Sequence, residues 1–180
     1  MRALLLDEPG PVSSLRVGEI AEPQPGPGQL RIAVKAAALN PADLAGTQMG
    51  LPGWDWPHIA GIDAAGVVDA VGPGADRFRV GQQVAMHIDM RLQGSFAEKV
   101  VGTAEATAAV PDAVSWTAAG ALVATGLTAY QALTRRLHVR SGQTVLVAGG
   151  AGGVGGFAIQ IAHHLGAQVI ATASAGNLDY

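Results

Sequence analysis

The sequence contains no cysteine. That excludes disulfides and any thiolate metal site, and it fits a reducing cytosol. Charge is scarce as well: 14% of residues are Asp, Glu, Lys or Arg, the net charge is −3, and no basic run occurs. A chain without a basic face has no electrostatic footprint for nucleic acid, and an anionic membrane surface is an equally poor partner. Long hydrophobic runs are missing too. The longest, "AAGALVATGLTAYQAL" at residues 118–133, falls short of a membrane span and reads as a buried helix. At the start, "MRALLLDEPG" meets Asp7 and Glu8 too early for a signal peptide. The expected compartment is the cytoplasm.

What the chain has is apolar bulk, 49% of its 180 residues. A chain of this length buries roughly 70% of its unfolded surface, enough for one sound core or two small ones. Up to about residue 110, Gly and Pro cut it into short apolar segments: "RALLL", "LRIAVKAAA", "GVVDAVG", "QQVAMHI", "SFAEKVV" and "ATAAV". Each reads as a strand of a small twisted or barrel-like β domain. Between the first two, "EPQPGPGQ" reads as a rigid surface connection, because proline fixes φ and glycine supplies the turn. From Ser115 the texture becomes helical in "SWTAAGALVATGLTAYQALTRRL", with Ser115 as its cap and Arg135, Arg136 and His138 near its negative end. The expected division is residues 1–114 and 115–180.

The second part holds the strongest motif. Gly150-Ala151-Gly152-Gly153-Val154-Gly155 fits G-x-G-x-x-G, and Gly149, Gly152 and Gly155 fit a looser G-x-x-G-x-x-G equally well. A strand at residues 144–148 precedes it, the helix "VGGFAIQIAHHLG" follows, and a second strand at residues 168–172 comes next. That βαβ order lets bare backbone approach a pyrophosphate, with unpaired N–H groups at the helix start meeting its charge. The competing reading is a glycine turn that only packs helix against sheet. An acid about 20 residues after the glycines would bind the ribose 2′-hydroxyl of NAD. Here that window reads "ATASAGN", where Ser174 and Asn177 are neutral donors that tolerate a 2′-phosphate. The expected cofactor is NADP(H).

Together the segments resemble the first half of a zinc-free medium-chain dehydrogenase/reductase of the quinone oxidoreductase type. The matching pieces are "EPQPGPGQLRIAVKAAALNPADL", "HIAGIDAAGVVDAVGPGADRFRVGQQV", "GSFAEKVV", residues 120–130 and "AGGAGGVGGFAIQIAHHLGAQVIATAS". The resemblance implies a GroES-like β-barrel domain followed by a Rossmann doubly wound domain, of which only the start is here. It implies an active site in the cleft between them, and NAD(P)H-dependent reduction of a quinone or an activated C=C bond such as an enone. Zinc-dependent relatives carry Cys where this sequence has Asn40, and Gly-His-Glu at Gly61-Ile62-Asp63; residues 84–94 also lack their four-cysteine lobe. No zinc site is expected. His87 and Asp89 read as a strand-end pair, His58 as a loop histidine, and His163 and His164 as helix-end residues.

The resemblance places Asn40 and Thr128 beside the nicotinamide as catalytic candidates. Asn40 offers both a donor and an acceptor; it is also a suitable turn residue before Pro41, and Thr128 a suitable helix-interior threonine. Asp43 reads as a helix-cap carboxylate. Trp54 and Trp56 in "GLPGWDWPH" either stack a flat ring or pack their loop. Only about one βαβ unit is present, so its second strand is expected to leave an open edge and its sheet one bare face. The simplest expectation is an incomplete copy of a longer enzyme. Family homodimers join through later Rossmann strands, so a homodimer is implied for the parent enzyme alone. Two other readings compete: an NADPH-binding protein without turnover, and a non-catalytic fragment that binds a partner.

Overall fold

The computed structural model describes residues 1–179. Its elements are β1 (Arg2–Leu6), β2 (Arg16–Glu19), β3 (Gln29–Ala36), α1 (Pro41–Met49), β4 (His58–Ile59), β5 (Asp63–Val71), β6 (Gln83–His87), β7 (Lys99–Thr103), β8 (Thr107–Ala109), α2 (Trp116–Gln131), β9 (Thr144–Val147), α3 (Gly153–His164) and β10 (Gln168–Ala171). They form two compact units. The first is Met1–Val123 and the second begins at Ala124, inside α2.

In the first unit a five-stranded antiparallel sheet runs β7-β3-β5-β6-β8, and a smaller sheet runs β2-β1-β4. The period of two explains both faces of β3. Leu30 and Ile32 point into a core with Val68, Val84, Met86, Ile88 and Val100. Between them, Arg31 points away and bonds Asp69 at 2.8 Å, while Lys99 on β7 reaches Asp69 at 3.0 Å and Glu22 at 2.7 Å. One face is therefore sealed by apolar burial, and the other is pinned by charges that fix the β7-β3-β5 register. Register shifts after Arg31 and after Val34 mark bulges where β3 bends along β5. This is the curved β domain expected from the strand pattern.

Two elements differ from the sequence reading. His58 is no loop residue: it lies in β4, paired to Leu6 of β1, and is 2% exposed. The helix expected from Ser115 through Leu137 does not run as one regular α-helix, because a π turn at Ala132–Arg136 follows α2. Ser115 does cap α2, its Oγ accepting the Ala118 N–H at 3.3 Å.

In the second unit β9 and β10 pair in parallel, Thr144 opposite Gln168 through Val147 opposite Ala171. Helix α3 covers one face, placing Ala158, Ile161 and Ala162 with Val145, Val169 and Leu133. On the strands' other side Leu146 is 67% and Ile170 57% exposed. Among the described residues β10 pairs with β9 alone. The bare face and the open edge are both as expected.

The Ile32 side chain is fully buried at the centre of the larger sheet's core. Ile32→Ala is expected to cost about 3 kcal/mol, the lost transfer energy plus the residual cavity. Urea unfolding followed by circular dichroism measures it as a lower midpoint.

Candidate functional site

In the first unit the polar residues gather at the start of α1. Asn40 precedes the helix in extended conformation, and Pro41 at the first position needs no N–H partner. Asp43 sits three residues on, and its Oδ2 accepts the Asn40 backbone N–H at 2.7 Å. The cap read from sequence is thus present, as the acidic half of a capping box. Burial pushes the Asp43 carboxyl above its ordinary range, against the pull of that hydrogen bond. Asn40 turns its side chain to the first residue of β5, Nδ2 donating to Asp63 Oδ2 at 3.0 Å. Asp63 is 0% exposed.

His87, at the end of β6, is the cross-strand partner of Asp63. Its Nδ1 lies 3.7 Å from Asp63 Oδ1, an ion-pair distance longer than a hydrogen bond. The neighbouring Asp63 carboxylate raises the His87 imidazole above its ordinary value, against partial burial. Asp89 bonds Arg91 instead, at 2.5 Å, and is held down to about 2 by that guanidinium. His87 lies nearest Asp63 and Asp89 bonds Arg91, while Asp89 still acts on His87 through its charge. Sequence spacing could not show this, because the His87 partner is 24 residues away and found only through strand register.

Asn40 and Asp43 line a groove of about 400 Å³ together with Leu4, Leu39, Leu44 and Phe96. An apolar trough with a few polar groups suits a flat, weakly polar ligand. The tryptophans of the neighbouring loop play a different part. Trp54 is buried, donates Nε1–H to the Met90 carbonyl at 2.7 Å, and stacks on His58 with ring centroids 3.5 Å apart. It packs the loop. Trp56 is 42% exposed and meets Trp54 edge to face. Burial drives His58 down to about 4, so it is neutral at physiological pH.

In the second unit the glycine turn links β9 to α3. Gly149 adopts φ +75°, where glycine carries no steric penalty. A Cβ on Gly155 would collide with the Gly149 carbonyl oxygen, so only glycine lets the first turn of α3 lie against the strand end. Gly150 donates its N–H to the Thr172 carbonyl at 2.7 Å and Gly152 to the Gly149 carbonyl at 2.9 Å, which fixes the turn. Gly152 is the N-cap and has no side chain to offer. The Gly156 N–H bonds back to the Gly152 carbonyl at 2.8 Å, while the N–H groups of Gly153, Val154 and Gly155 have no acceptor among the described residues. Val154 is exposed, and Ala151 sits half-buried on the turn. Three amides left open at the positive end of a helix, with bare glycine backbone beside them, form a cradle that fits a pyrophosphate.

Ser174 and Asn177 follow β10 on a short 3-10 turn and are exposed. Asn177 Nδ2 donates to Ser174 Oγ at 3.1 Å, so the pair is self-connected and leaves the hydroxyl proton free to donate. Thr128 is exposed on α2, within the second unit, whereas Asn40 belongs to the first. Thr125, three residues earlier on α2, lies near the glycine turn: its Cγ2 would be 3.1 Å from a Cβ placed on Gly153.

The alcohol dehydrogenase GroES-like domain family matches residues 26–112. The chain is 35% identical over 179 residues to a chloroplastic quinone-oxidoreductase homolog of Spinacia oleracea, covering 95% of this chain and 54% of that protein. It is 38% identical to a highly reducing polyketide synthase of a Cryptosporiopsis species, covering 95% of this chain and 7% of that protein. Among solved structures it matches an alcohol dehydrogenase superfamily protein of Novosphingobium aromaticivorans with TM-score 0.92 at 38% identity, covering 100% of this chain and 55% of that one. A mycobacterial protein complexed with NADPH matches with TM-score 0.88 at 36% identity, covering 99% of this chain and 55% of that one. The chain thus spans about half the length of the quinone-oxidoreductase homolog and of both solved structures. No helix among the described residues is long and apolar enough to cross a membrane.

The depressed His58 value carries a sign. The folded state resists protonation that the unfolded chain accepts below its ordinary value of 6.5. Stability from this group is complete above pH 6.5 and is lost as pH falls toward about 4. The loss is on the order of 2–3 kcal/mol. His58→Phe, which keeps the ring stacked on Trp54, is expected to flatten that acid limb in urea midpoints measured across this range.

Proposed function

We propose that the chain is part of a quinone oxidoreductase-like medium-chain dehydrogenase/reductase, and that it serves an NADPH-dependent, zinc-independent oxidoreductase acting on a quinone or the activated C=C bond of an enone. In this reading residues 1–114 form the acceptor side and residues 115–180 the start of the nucleotide side. The observation that carries it is the open turn at residues 149–155, where the Gly153, Val154 and Gly155 amides have no acceptor among the described residues.

When bound, the dinucleotide supplies a hydride, and the electrophilic carbon of a quinone or enone accepts it. The chain's own groups bind and orient. The amides of Gly153, Val154 and Gly155 hold the pyrophosphate, and the bare backbone of Gly150 to Gly152 allows close approach. Ser174 and Asn177 would meet the adenosine ribose as neutral donors. Residues 172–179 carry no Lys or Arg, so what these residues add toward a 2′-phosphate is hydrogen bonding. Asn40 and Thr128 are the residues this reading assigns to the nicotinamide. Asn40 is held within the protein, its amide nitrogen donating to Asp63. The apolar groove beside it supports a flat acceptor, excludes water and asks for no acidic side chain at the reacting carbon. The likeness to a highly reducing polyketide synthase supports the C=C alternative; the likeness to a quinone-oxidoreductase homolog supports the quinone.

Steady oxidation of NADPH at 340 nm with a simple quinone or enone tests turnover. NADPH is expected to be preferred over NADH by roughly three- to tenfold, the scale of one or two neutral hydrogen bonds. Tight NADPH binding without turnover would leave a binding protein instead. Gly152→Asp tests the cradle: its carboxylate would cap the open amides itself and repel phosphate. The variant is expected to fold and to bind NADPH at least about tenfold more weakly by fluorescence titration.

A further inference from the structure

The buried carboxylate of Asp63 has no role in the reading above, yet it is the most completely enclosed ionisable group of the first unit. An isolated ionised carboxylate in such a place is costly unless it is paired and hydrogen-bonded. Its Oδ2 has one donor, Asn40 Nδ2 at 3.0 Å. Its Oδ1 has no hydrogen-bond donor among the described residues, and neither does the His87 Nδ1 that faces it at 3.7 Å have a partner.

The surroundings leave His87 as the compensating charge. From α1 the ionisable group near Asp63 is Asp43, a like charge. From β6 it is His87. Around His87, Asp89 is engaged by Arg91 at 2.5 Å, and β8, the other strand against β6, brings Thr107, Ala108 and Ala109, none charged. The His87 side chain is 40% exposed, so it exchanges protons with solvent while its Nδ1 stays covered.

We propose that His87 is a positioning residue for Asn40: as imidazolium it pairs with the Asp63 carboxylate, and that carboxylate holds the Asn40 amide with Nδ2 turned inward. The reversed amide would set Oδ1 against the carboxylate, so the charge on Asp63 selects one orientation. This rests on Asn40 being a site residue, as the proposed function has it. The Asp63 carboxylate raises His87 above 6.5, so the pairing is complete below that pH and is lost as pH rises through the raised value. Above it, Asp63 loses its counter-charge and the Asn40 amide is released.

Nitrogen-15 NMR of the full chain tests this without any turnover. The His87 ring is expected to titrate above 6.5, and the Asn40 side-chain NH2 resonances to shift with the same midpoint. His87→Gln, at a half-exposed position, is expected to abolish that transition at Asn40; His87→Lys, which keeps a cation, is expected to move it to more alkaline pH. Asp63→Asn is expected to return His87 to its ordinary value. Asn40 resonances that stay flat through the His87 transition, or that titrate unchanged in His87→Gln, overturn the proposal. Coupled titration in a chain that never oxidises NADPH would remove the proposed function and leave the positioning intact.

Discussion

The second unit depends on one close approach between two pieces of backbone. The first turn of α3 rests on the carbonyl of Gly149, at a distance that leaves no room for a Cβ on Gly155. That contact sets where α3 begins and which amides it leaves open. It also sets how Ala158, Ile161 and Ala162 descend onto Val145 and Val169. The same lack of side chains that permits the packing leaves the helix start uncapped. A serine or aspartate in place of Gly152 would stabilise the helix and close the cradle. The chain forgoes that stabilisation, on the order of a few tenths of a kcal/mol over glycine, and keeps the amides open.

The first unit solves a different problem, that of placing polar groups in an apolar groove. Asn40 is held from two directions, its backbone N–H by Asp43 and its side chain by Asp63. Both carboxylates are buried, and the charge of Asp63 adds to the burial that raises Asp43. Such a pair is stable only with hydrogen bonds and a counter-charge, and strand register places His87 where that charge is needed. Rigid elements carry all four residues: the start of α1, the start of β5 and the end of β6. The nearby Trp54–His58 stack anchors the following loop from below, with His58 kept neutral by burial.

Much of this was legible in the sequence because it is local. The alternation of Leu30, Arg31 and Ile32 announces a strand with one buried face, and "NPAD" announces a helix start with Pro41 and Asp43 in their capping positions. The order strand, glycines, helix, strand specifies the βαβ unit, down to the parallel pairing of β9 with β10. What stayed hidden is non-local. His87 next to Asp89 looks like a local pair, and only the β5–β6 register reveals Asp63 as its partner. His58 reads as a loop residue because a two-residue strand has no periodicity to detect; its burial comes from β1 and Trp54, far along the chain.

The central claim is that the open amides at the start of α3 receive the phosphates of a dinucleotide. Backbone amide chemical shifts of the nitrogen-15-labelled chain, followed as NADPH is added, test it most directly. The account predicts that the largest saturable shifts fall on Gly153, Val154 and Gly155, with smaller ones at Gly150 to Gly152. Saturable binding that leaves those three amides unmoved, or no saturable shift at millimolar NADPH, would contradict it.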